Sequence, residues 1–296
     1  MFYFIRKPIT LGVLFALALG VLYVGVKGYK DGAEFGLFRR PGELFLDNNL
    51  ATNRFGDPEK GLHQLIEYAE NSASYQPIFN TKNLDQWSGD PELWRVASGQ
   101  IIGTVVNPLR DNSFLIHEET VDDFILTLAY KLLPSDTNNN TGIQYRSRIV
   151  DASSFIVAGM QADIHHGVST PLKINFGGLL YDERGPRGII AKSGQRVWVG
   201  KNGLRHVLPL QSSQRNIEAS YKLDDWNSVR VIACGRRMIH EINNHITVDV
   251  IDDLEERATE GVIALQLHVG DPYSVAFKDL SLSKDIATSG LCESYR

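Results

Sequence analysis

Three polar side chains stand at alternate positions near the end of one candidate strand, FIVAGMQADIH at residues 155–165. Gln161, Asp163 and His165 share one face of this strand, because side chains two apart point the same way, and the residues between them are apolar. Planar donors and acceptors of this kind suit the hydroxyl groups of a sugar. The alternation predicts one face in the core and one face at a binding site, while an ordinary solvated face gives the same alternation.

Two more candidate strands carry the same arrangement. The segment GIQYRSR puts Gln144 and Arg146 on one face, and the segment GVIALQLH puts Gln266 and His268 opposite apolar residues. We therefore expect these strands to form a curved sheet whose convex face packs on the core. Its concave face is expected to bind a polar ligand.

Between these strands lies a segment, LLYDERGPRG, that contains both acidic and basic residues. It places Tyr181, Asp182, Glu183 and Arg184 in a row that ends at a Gly-Pro turn. Such a loop supplies an acid and a base if it lies over the groove, and it is a solvated loop if it does not. The sequence leaves both interpretations open.

The elements that must position these residues are short strands. Beyond residue 76, short alternating or apolar runs are separated by turn residues, which is the pattern of an antiparallel sandwich or barrel. The pair Asn243 and Asn244 predicts a hairpin turn, since Asn tolerates positive φ. A short helix is expected at 216–222. The candidate strands cover residues 93–97, 100–106, 124–133, 142–148, 155–165, 226–235, 236–242, 246–251, 261–268 and 274–283.

An uncharged N-terminal run, residues 9–26, would span about 27 Å as a helix, which is enough to cross a bilayer. Arg6 and Lys7 precede it, as in a signal peptide or a signal anchor. The run has no small-residue cleavage site, so we expect an uncleaved transmembrane helix with a cytoplasmic N-terminus at residues 1–8. The main domain is expected on the periplasmic or extracytoplasmic side, an orientation that rests on the domain rather than on the flanking charges.

The remainder of the chain divides into three predicted segments. Residues 27–76 read as a connector with a short helix at 58–71, whose apolar residues fall at helical spacing. The sandwich domain is expected over residues 77–284, and residues 285–296 are expected to form a C-terminal tail.

Composition narrows the possible partners and the redox chemistry. The net charge of −5 and the pI near 5.9 come without a basic cluster, so no nucleic-acid partner is expected. The two cysteines, Cys234 and Cys292, cannot build a disulfide framework or a multi-cysteine zinc site. The favoured interpretation is a buried thiol at Cys234 and a thiol in a loose tail at Cys292, with a single disulfide as the alternative.

An ordered series of short motifs runs through the predicted domain. It includes FNTKNLDQW at 79–87, NTGIQYR at 140–146, GMQAD at 159–163, LYDER at 180–184 and GVIALQLH at 261–268. In this series the chain resembles the 3-keto-disaccharide hydrolase domain family. The resemblance covers roughly two thirds of the chain and implies an all-β, concanavalin A-like jelly-roll sandwich of two antiparallel sheets.

The resemblance also implies a reaction. The family acts on glycosides already oxidised to a ketone at C3, and this ketone acidifies the proton at C2. A base removes that proton, the glycosidic oxygen leaves from C1, and water adds back. Such a route needs a base near C2, a group that stabilises the enolate oxygen, and an acid for the leaving group.

The resemblance suggests roles for the polar residues, which we state as hypotheses. Asp163 or His165 would be the base, and Glu183 or Asp182 would be the acid or a metal ligand. Carboxylates and histidines of this kind also suit a divalent cation, although no spacing here is diagnostic. The residues assigned to the substrate are Arg146 and Gln161 at the enolate and hydroxyls, Gln144 and Tyr181 beside them, and Gln266 and His268 on the floor of the groove.

Three departures from the family pattern support other functions. Met160 replaces a Tyr, Asn244 stands where many members have Gly, and Gln161 stands where many have Glu. One rival is an ordinary glycosidase with two opposed carboxylates. The alternative from another class is a non-catalytic jelly roll, either a carbohydrate-binding module or an accessory subunit of a larger integral membrane complex.

Overall fold

The computed structural model describes residues 43–45, 57–133, 139–166, 168–169 and 174–296. The chain divides into two units, Met1–Glu43 and Leu44–Arg296. The predicted cytoplasmic segment, the predicted anchor at 9–26 and most of the predicted connector before Asp57 lie outside the described residues. In the described part of the chain, no helix has the length and apolar character needed to cross a membrane.

The described residues form mainly short strands. In chain order the elements are β1 (Glu43–Phe45), α1 (Pro58–Asn71), β2 (Gln76–Pro77), β3 (Trp87–Ser88), β4 (Trp94–Ala97), β5 (Gln100–Val105), β6 (Ser113–Val121), β7 (Phe124–Leu133), β8 (Asn140–Asp151), β9 (Ile156–His165), β10 (Val168–Ser169), β11 (Ile174–Asn175), β12 (Leu180–Glu183), β13 (Gly188–Ala191), β14 (Gln195–Val199), β15 (Arg205–Pro209), α2 (Gln214–Ser220), β16 (Asn227–Cys234), β17 (Arg237–Ile242), β18 (His245–Asp252), β19 (Gly261–Leu267), β20 (Tyr273–Ser283) and two 3-10 helices, Asp285–Thr288 and Glu293–Tyr295.

Two large sheets pack face to face. The back sheet has the order β1-β15-β14-β18-β17-β16-β7-β20-β5-β4, with β2 also paired to β20. The front sheet has the order β13-β12-β9-β8-β19-β6-β3. Among β2 to β20, neighbouring strands are antiparallel except β14 and β18, which pair in parallel. The prediction of an all-β, jelly-roll-like sandwich of two sheets is therefore confirmed.

The core lies between the two sheets and is built by alternation. From β9, Met160, Ala162 and Ile164 enter the core, where they join Leu128 of the back sheet and Phe277 of β20. Because side chains alternate, the other residues of β9 must point to the outer face of the front sheet. The core thus fixes which side chains of β9 are available to a ligand.

All ten candidate strands form strands of these sheets, whereas β6 and β12–β15 were not predicted. β6 was not predicted because Phe114, Leu115 and Ile116 are all buried, so its sequence shows no alternation of apolar and polar residues. The hairpin at Asn243 and Asn244 is confirmed, since both residues have positive φ, 49° and 64°, and they join β17 to β18.

Helix α1 has the predicted bounds and packs on the domain. Asp57 caps its first turn by accepting hydrogen bonds from two backbone amides, and Pro58 opens the helix. Leu62 and Leu65 are buried in a cluster that includes Ile232 and Ile239 of the back sheet. The helix therefore belongs to the folded unit, which begins before the predicted boundary at residue 77.

A buried ion cluster joins this helix to the back sheet. The carboxylate of Asp249 accepts from Arg196 Nε at 2.6 Å and from Arg237 Nη2 at 2.7 Å. Arg196 also pairs with Glu59 of α1, and Arg237 donates to the Tyr295 hydroxyl. Both arginines lower the pKa of Asp249 against the opposing effect of its burial. Removing one member would leave a buried charge unpaired.

The cysteines form a disulfide, so the favoured interpretation of two free thiols is wrong. Cys234 at the end of β16 bonds Cys292, with a Cα–Cα distance of 5.1 Å. The predicted tail folds back over the back sheet through its 3-10 helices, where Ile286 is fully buried beside the disulfide. The pairing depends on this long-range packing, which residue spacing cannot reveal.

Replacing Cys292 with Ser is expected to lower the free energy of unfolding by about 2–4 kcal/mol, because the bond closes a long loop and restricts the unfolded chain. Denaturant unfolding of the wild type with and without reductant should give the same difference. Ser294→Ala, at an exposed position of the same segment, is the control and should leave stability unchanged. Equal stability of the oxidised wild type and Cys292→Ser would contradict the prediction.

Candidate active site

A pocket of about 600 Å³ opens on the outer face of the front sheet. Gln161, Asp163 and His165 of β9 lie in it, as the alternation of this strand requires. The full lining comprises Asp111, Asn112, Asn140, Gln161, Asp163, His165, Phe176, Tyr181, Glu183, Arg184, His268 and Val269.

The strand register brings the polar residues together. Along the β8–β9 pairing, His165 faces Asn140, Asp163 faces Gly142 and Gln161 faces Gln144. On the other side of β9, Tyr181 of β12 faces Gln161. His268 follows directly after β19, which pairs with the far edge of β8. Residues from β8, β9, β12 and the end of β19 thus converge on one pocket.

Asp163 is the most perturbed acid of this pocket. Burial, together with the nearby charge of Glu183, raises the pKa of its carboxyl to about 8 against the opposing effect of hydrogen bonds from Asn140 and Gln161. Its Oδ1 has no hydrogen-bond partner among the described residues. At neutral pH this carboxyl is therefore mostly protonated.

His268 is held as a neutral base. Its Nδ1 is bonded to the Val269 carbonyl oxygen, which can only accept, so Nδ1 carries the proton and Nε2 keeps its lone pair. Burial lowers the pKa of this imidazole. The Tyr273 hydroxyl accepts from the backbone N–H of His268 at 2.9 Å and donates to the Asn140 carbonyl at 2.7 Å. These bonds fix the residue against β8.

Two side-chain contacts close one side of the pocket. Asn112 donates to Glu183 Oε1 at 3.0 Å and accepts from the backbone N–H of Val269 at 2.9 Å. Arg184 pairs with Asp111 next to it. Burial raises the pKa of Glu183, an effect that the hydrogen bond from Asn112 opposes. The end of β12 is therefore tied to the segment that precedes β6.

Two predicted residues lie away from the pocket. Arg146 sits in a β-bulge between Tyr145 and Arg148, with a φ of 45°, and its guanidinium is buried against Asp123 at 3.0 Å. The bulge turns this side chain out of the alternation on which its assignment depended. Asp182 points to the opposite face from Glu183 and pairs with Arg187.

Gln144 and Gln266 are fully buried and do not line the pocket. Gln144 donates to Gln161 Oε1, so it supports a lining residue from behind. Gln266 has no hydrogen-bond partner for its side-chain nitrogen or oxygen in the part of the chain that the structure describes. Both lie on the predicted face, but neighbouring side chains cover them.

Some lining residues were not predicted. Asn140 was quoted in the motif NTGIQYR but given no role, and its position opposite His165 was the available signal. Asn112, Asp111 and Phe176 lie outside the predicted strands, so no alternation could place them. Among the described residues, no group of three or more His, Cys, Asp and Glu is arranged to hold a metal ion.

A family model described as the 3-keto-alpha-glucoside-1,2-lyase-like domain matches residues 74–283, which is more than half of the chain. The chain belongs to this family. The resemblance found in the sequence motifs is thereby confirmed. All the residues that line the pocket fall within the matched part of this 3-keto-glucoside lyase-like chain.

Several solved structures are similar to this 3-keto-glucoside lyase-like chain. A putative glycosyl hydrolase from Parabacteroides distasonis has 16% sequence identity, covers 71% of this chain and 99% of its own, and has a TM-score of 0.48. A carbohydrate binding module from Bacillus subtilis has 12% identity, coverages of 72% and 97%, and a TM-score of 0.41. A Bacillus licheniformis beta-glucanase has 10% identity, coverages of 72% and 97%, and a TM-score of 0.44. No curated protein sequence matches the chain at a significant level.

The raised pKa of Asp163 predicts a stability cost. Between its ordinary value of 3.8 and its folded value of about 8, the folded state holds a proton that the unfolded state has released. Stability therefore falls as pH rises through this window. Asp163→Asn mimics the protonated form, so it is expected to be more stable than the wild type at pH 8 by about 1–3 kcal/mol.

Denaturant unfolding at pH 5 and pH 8 measures this difference. The gap between the two pH values should shrink in Asp163→Asn relative to the wild type. Asp279→Asn is the control, because Asp279 is exposed and its φ of 57° is one that Asn tolerates. An Asp163→Asn variant that kept the wild-type pH dependence would show that the carboxyl is not destabilised by its burial.

Proposed function

We propose that this protein cleaves 3-keto-glycosides by elimination across C1 and C2, followed by addition of water. The observation that carries the proposal is a buried Asp163 in the same pocket as His268, whose Nδ1 is bonded to the Val269 carbonyl so that Nε2 keeps its lone pair. Burial raises the pKa of Asp163 to about 8, which favours its protonated form at neutral pH. One acid and one base in a single pocket are what the elimination requires. Membership of the 3-keto-glucoside lyase-like family supports the substrate class.

Asp163 is proposed as the acid. The resemblance suggested Asp163 or His165 as the base, but a carboxyl with a pKa of about 8 carries a proton at neutral pH and can deliver it to the glycosidic oxygen. Its unpartnered Oδ1 is the atom from which the proton would leave. We assign Asp163 the role of acid because it is buried, and the sequence alone does not show this burial.

His268 is proposed as the base that removes the proton from C2. The electron pair of the C2–H bond moves into the C1–C2 bond through the enolate, and the C1–O bond breaks with its electrons. In the second step, the Asp163 carboxylate takes a proton from water, the water oxygen bonds C1, and His268 returns its proton to C2. The net change is hydrolysis, with all atoms accounted for.

The remaining lining residues are proposed to bind the sugar. Arg184 carries the positive charge that suits an enolate oxygen, and Tyr181 and Gln161 suit hydroxyl groups. Glu183 is held by Asn112, which favours a binding role over proton transfer. His165, the register partner of Asn140, lines the same pocket, where it can contact a hydroxyl.

Asp163→Asn and His268→Gln are each expected to lower kcat/KM for an aryl 3-keto-α-glucoside by at least about 100-fold, because each removes one proton-transfer group and keeps the side-chain shape. Release of the aryl group is the measurement. The wild-type rate should fall above about pH 8, where Asp163 loses its proton. Asp279→Asn is the control, and the glucoside without the ketone should be inert.

Two results would count against this reaction. Wild-type protein without activity on the 3-keto substrate would reject it, and binding of the intact glycoside in the same sample would support the non-catalytic alternative. Equal activity of the wild type and both variants would show that other residues perform the proton transfers.

We also propose that residues 9–26 anchor the protein in a membrane and that the sandwich lies outside the cytoplasm. The uncharged run in the sequence supports the anchor. The disulfide between Cys234 and Cys292 supports the compartment, because such bonds persist in oxidising environments. A carbohydrate ligand and a larger membrane complex are the partners compatible with this arrangement.

The full-length protein is expected to stay in the membrane pellet after an alkaline carbonate wash, because a spanning helix resists such extraction. A variant with two apolar residues of the run replaced by Arg, Leu14→Arg and Leu17→Arg, should move to the soluble fraction. Protease added to spheroplasts, in which the inner membrane alone is closed, should digest the sandwich. Recovery of the wild type in the soluble fraction, or protection from protease in spheroplasts, would contradict the proposal.

A further inference from the structure

We propose that Gln144 and Ser147 are positioning residues which, through Gln161, hold the proton of Asp163 on Oδ1, the carboxyl oxygen that has no hydrogen-bond partner among the described residues. If this proton is the one delivered to the leaving group, the inference rests on the proposed function. The hydrogen bonds that position the proton do not depend on the reaction.

A directional chain of buried hydrogen bonds leads to Asp163. The hydroxyl of Ser147 donates to Gln144 Oε1 at 2.7 Å, and Gln144 Nε2 donates to Gln161 Oε1 at 2.5 Å. An amide that accepts at its oxygen presents its nitrogen to the other side. Gln161 therefore presents its nitrogen toward Asp163, two positions along the same face of β9, and a donor there lowers the pKa of that carboxyl.

The direction of this chain decides where the proton of Asp163 lies. The oxygen that accepts from Gln161 and Asn140 cannot also point a proton at these donors, so the proton belongs on Oδ1. Oδ1 has no hydrogen-bond partner among the described residues. A chain running the other way would turn Gln161 Oε1 toward Asp163 and bind the proton there.

Two glycines give the chain its space. A Cβ atom at Gly142 would lie 2.5 Å from Cδ of Gln161, and a Cβ atom at Gly159 would lie 2.5 Å from the hydroxyl of Ser147. The side chain of Gln161 can lie flat across β8 only because Gly142 has no side chain. A glycine therefore leaves room for the side chain at each end of this series of hydrogen bonds, Gly142 beside Gln161 and Gly159 beside Ser147.

The titratable groups around Asp163 come from several elements. His165 follows on the same face of β9, and the charge of Glu183 on β12 raises the pKa of Asp163. The hydroxyls of Tyr221 and Tyr273 are close enough for the charge of Asp163 to raise their pKa values. None of these groups hydrogen-bonds Oδ1, so Gln161 and Asn140 are the groups that orient the carboxyl.

The test is a titration of Asp163 in the full-length protein by difference infrared spectroscopy, with Asp163→Asn as the blank. The wild-type carboxyl band should disappear with a midpoint near pH 8. Gln144→Leu frees Gln161 from its fixed orientation and removes a donor from the carboxylate. It is expected to raise the midpoint by about one pH unit and to shift the carboxyl band.

Two further variants make the result specific. Ser147→Ala removes only the first donor of the series, so it should raise the midpoint by less than Gln144→Leu does. It also provides the test if Gln144→Leu does not fold. Gln266→Leu is the matched control, because Gln266 is a buried glutamine of the same sheet face that lies outside the chain of hydrogen bonds. It should leave the midpoint unchanged.

The proposal is overturned if folded Gln144→Leu and Ser147→Ala both keep the wild-type midpoint, or if Gln266→Leu shifts it as far as Gln144→Leu does. The first result would show that the chain does not act on Asp163. The second would show a general effect of lost polarity. Neither of these two results depends on turnover of a substrate. If the protein is inactive on 3-keto-glycosides, the proposed reaction is wrong, but this inference is unaffected.

Discussion

A buried polar group must find its hydrogen bonds within the protein, and the outer face of the front sheet is organised by this requirement. Gln144, Gln161 and Asp163 are all buried there, on two register positions of β8 and β9. Gln144 donates to Gln161, and Oδ1 of Asp163 is left without a hydrogen-bond partner among the described residues. Other features of this face are compatible with the arrangement. They are the positions of Gly142 and Gly159, the bulge in β8 and the contacts of Asn112 at the side of the pocket.

The same requirement explains why the site destabilises the domain and the back sheet stabilises it. Asp163 carries a raised pKa, whereas Asp249 is held ionised by Arg196 and Arg237. One sheet thus contains a carboxyl that resists ionisation and the other contains a carboxylate that is fully paired. The burial of Asp163 is thus a cost in a fold of marginal stability, and the rest of the domain must offset it.

Alternation along the strands was enough to predict the fold class and the core of the site. Gln161, Asp163 and His165 followed from β9 because a strand between a core and a pocket shows a strict period of two. Arg146 did not follow, because a bulge breaks the period where it was applied. Asp182 was misassigned because β12 was taken for a loop, in which neighbours need not point to opposite faces. The partner of Cys234 and the role of Asn112 depend on contacts between distant segments, which no local pattern contains.

The disulfide has a consequence for the order of events during synthesis. Its two cysteines are separated by 58 positions, so the bond cannot close until residue 292 has been made, long after β16 and β17 are available to pair. If the chain crosses a membrane from its N-terminus onward, the front sheet and its pocket can assemble while the last covalent link is still open. A chain in which this bond is closed has therefore already brought its last residues to the end of β16.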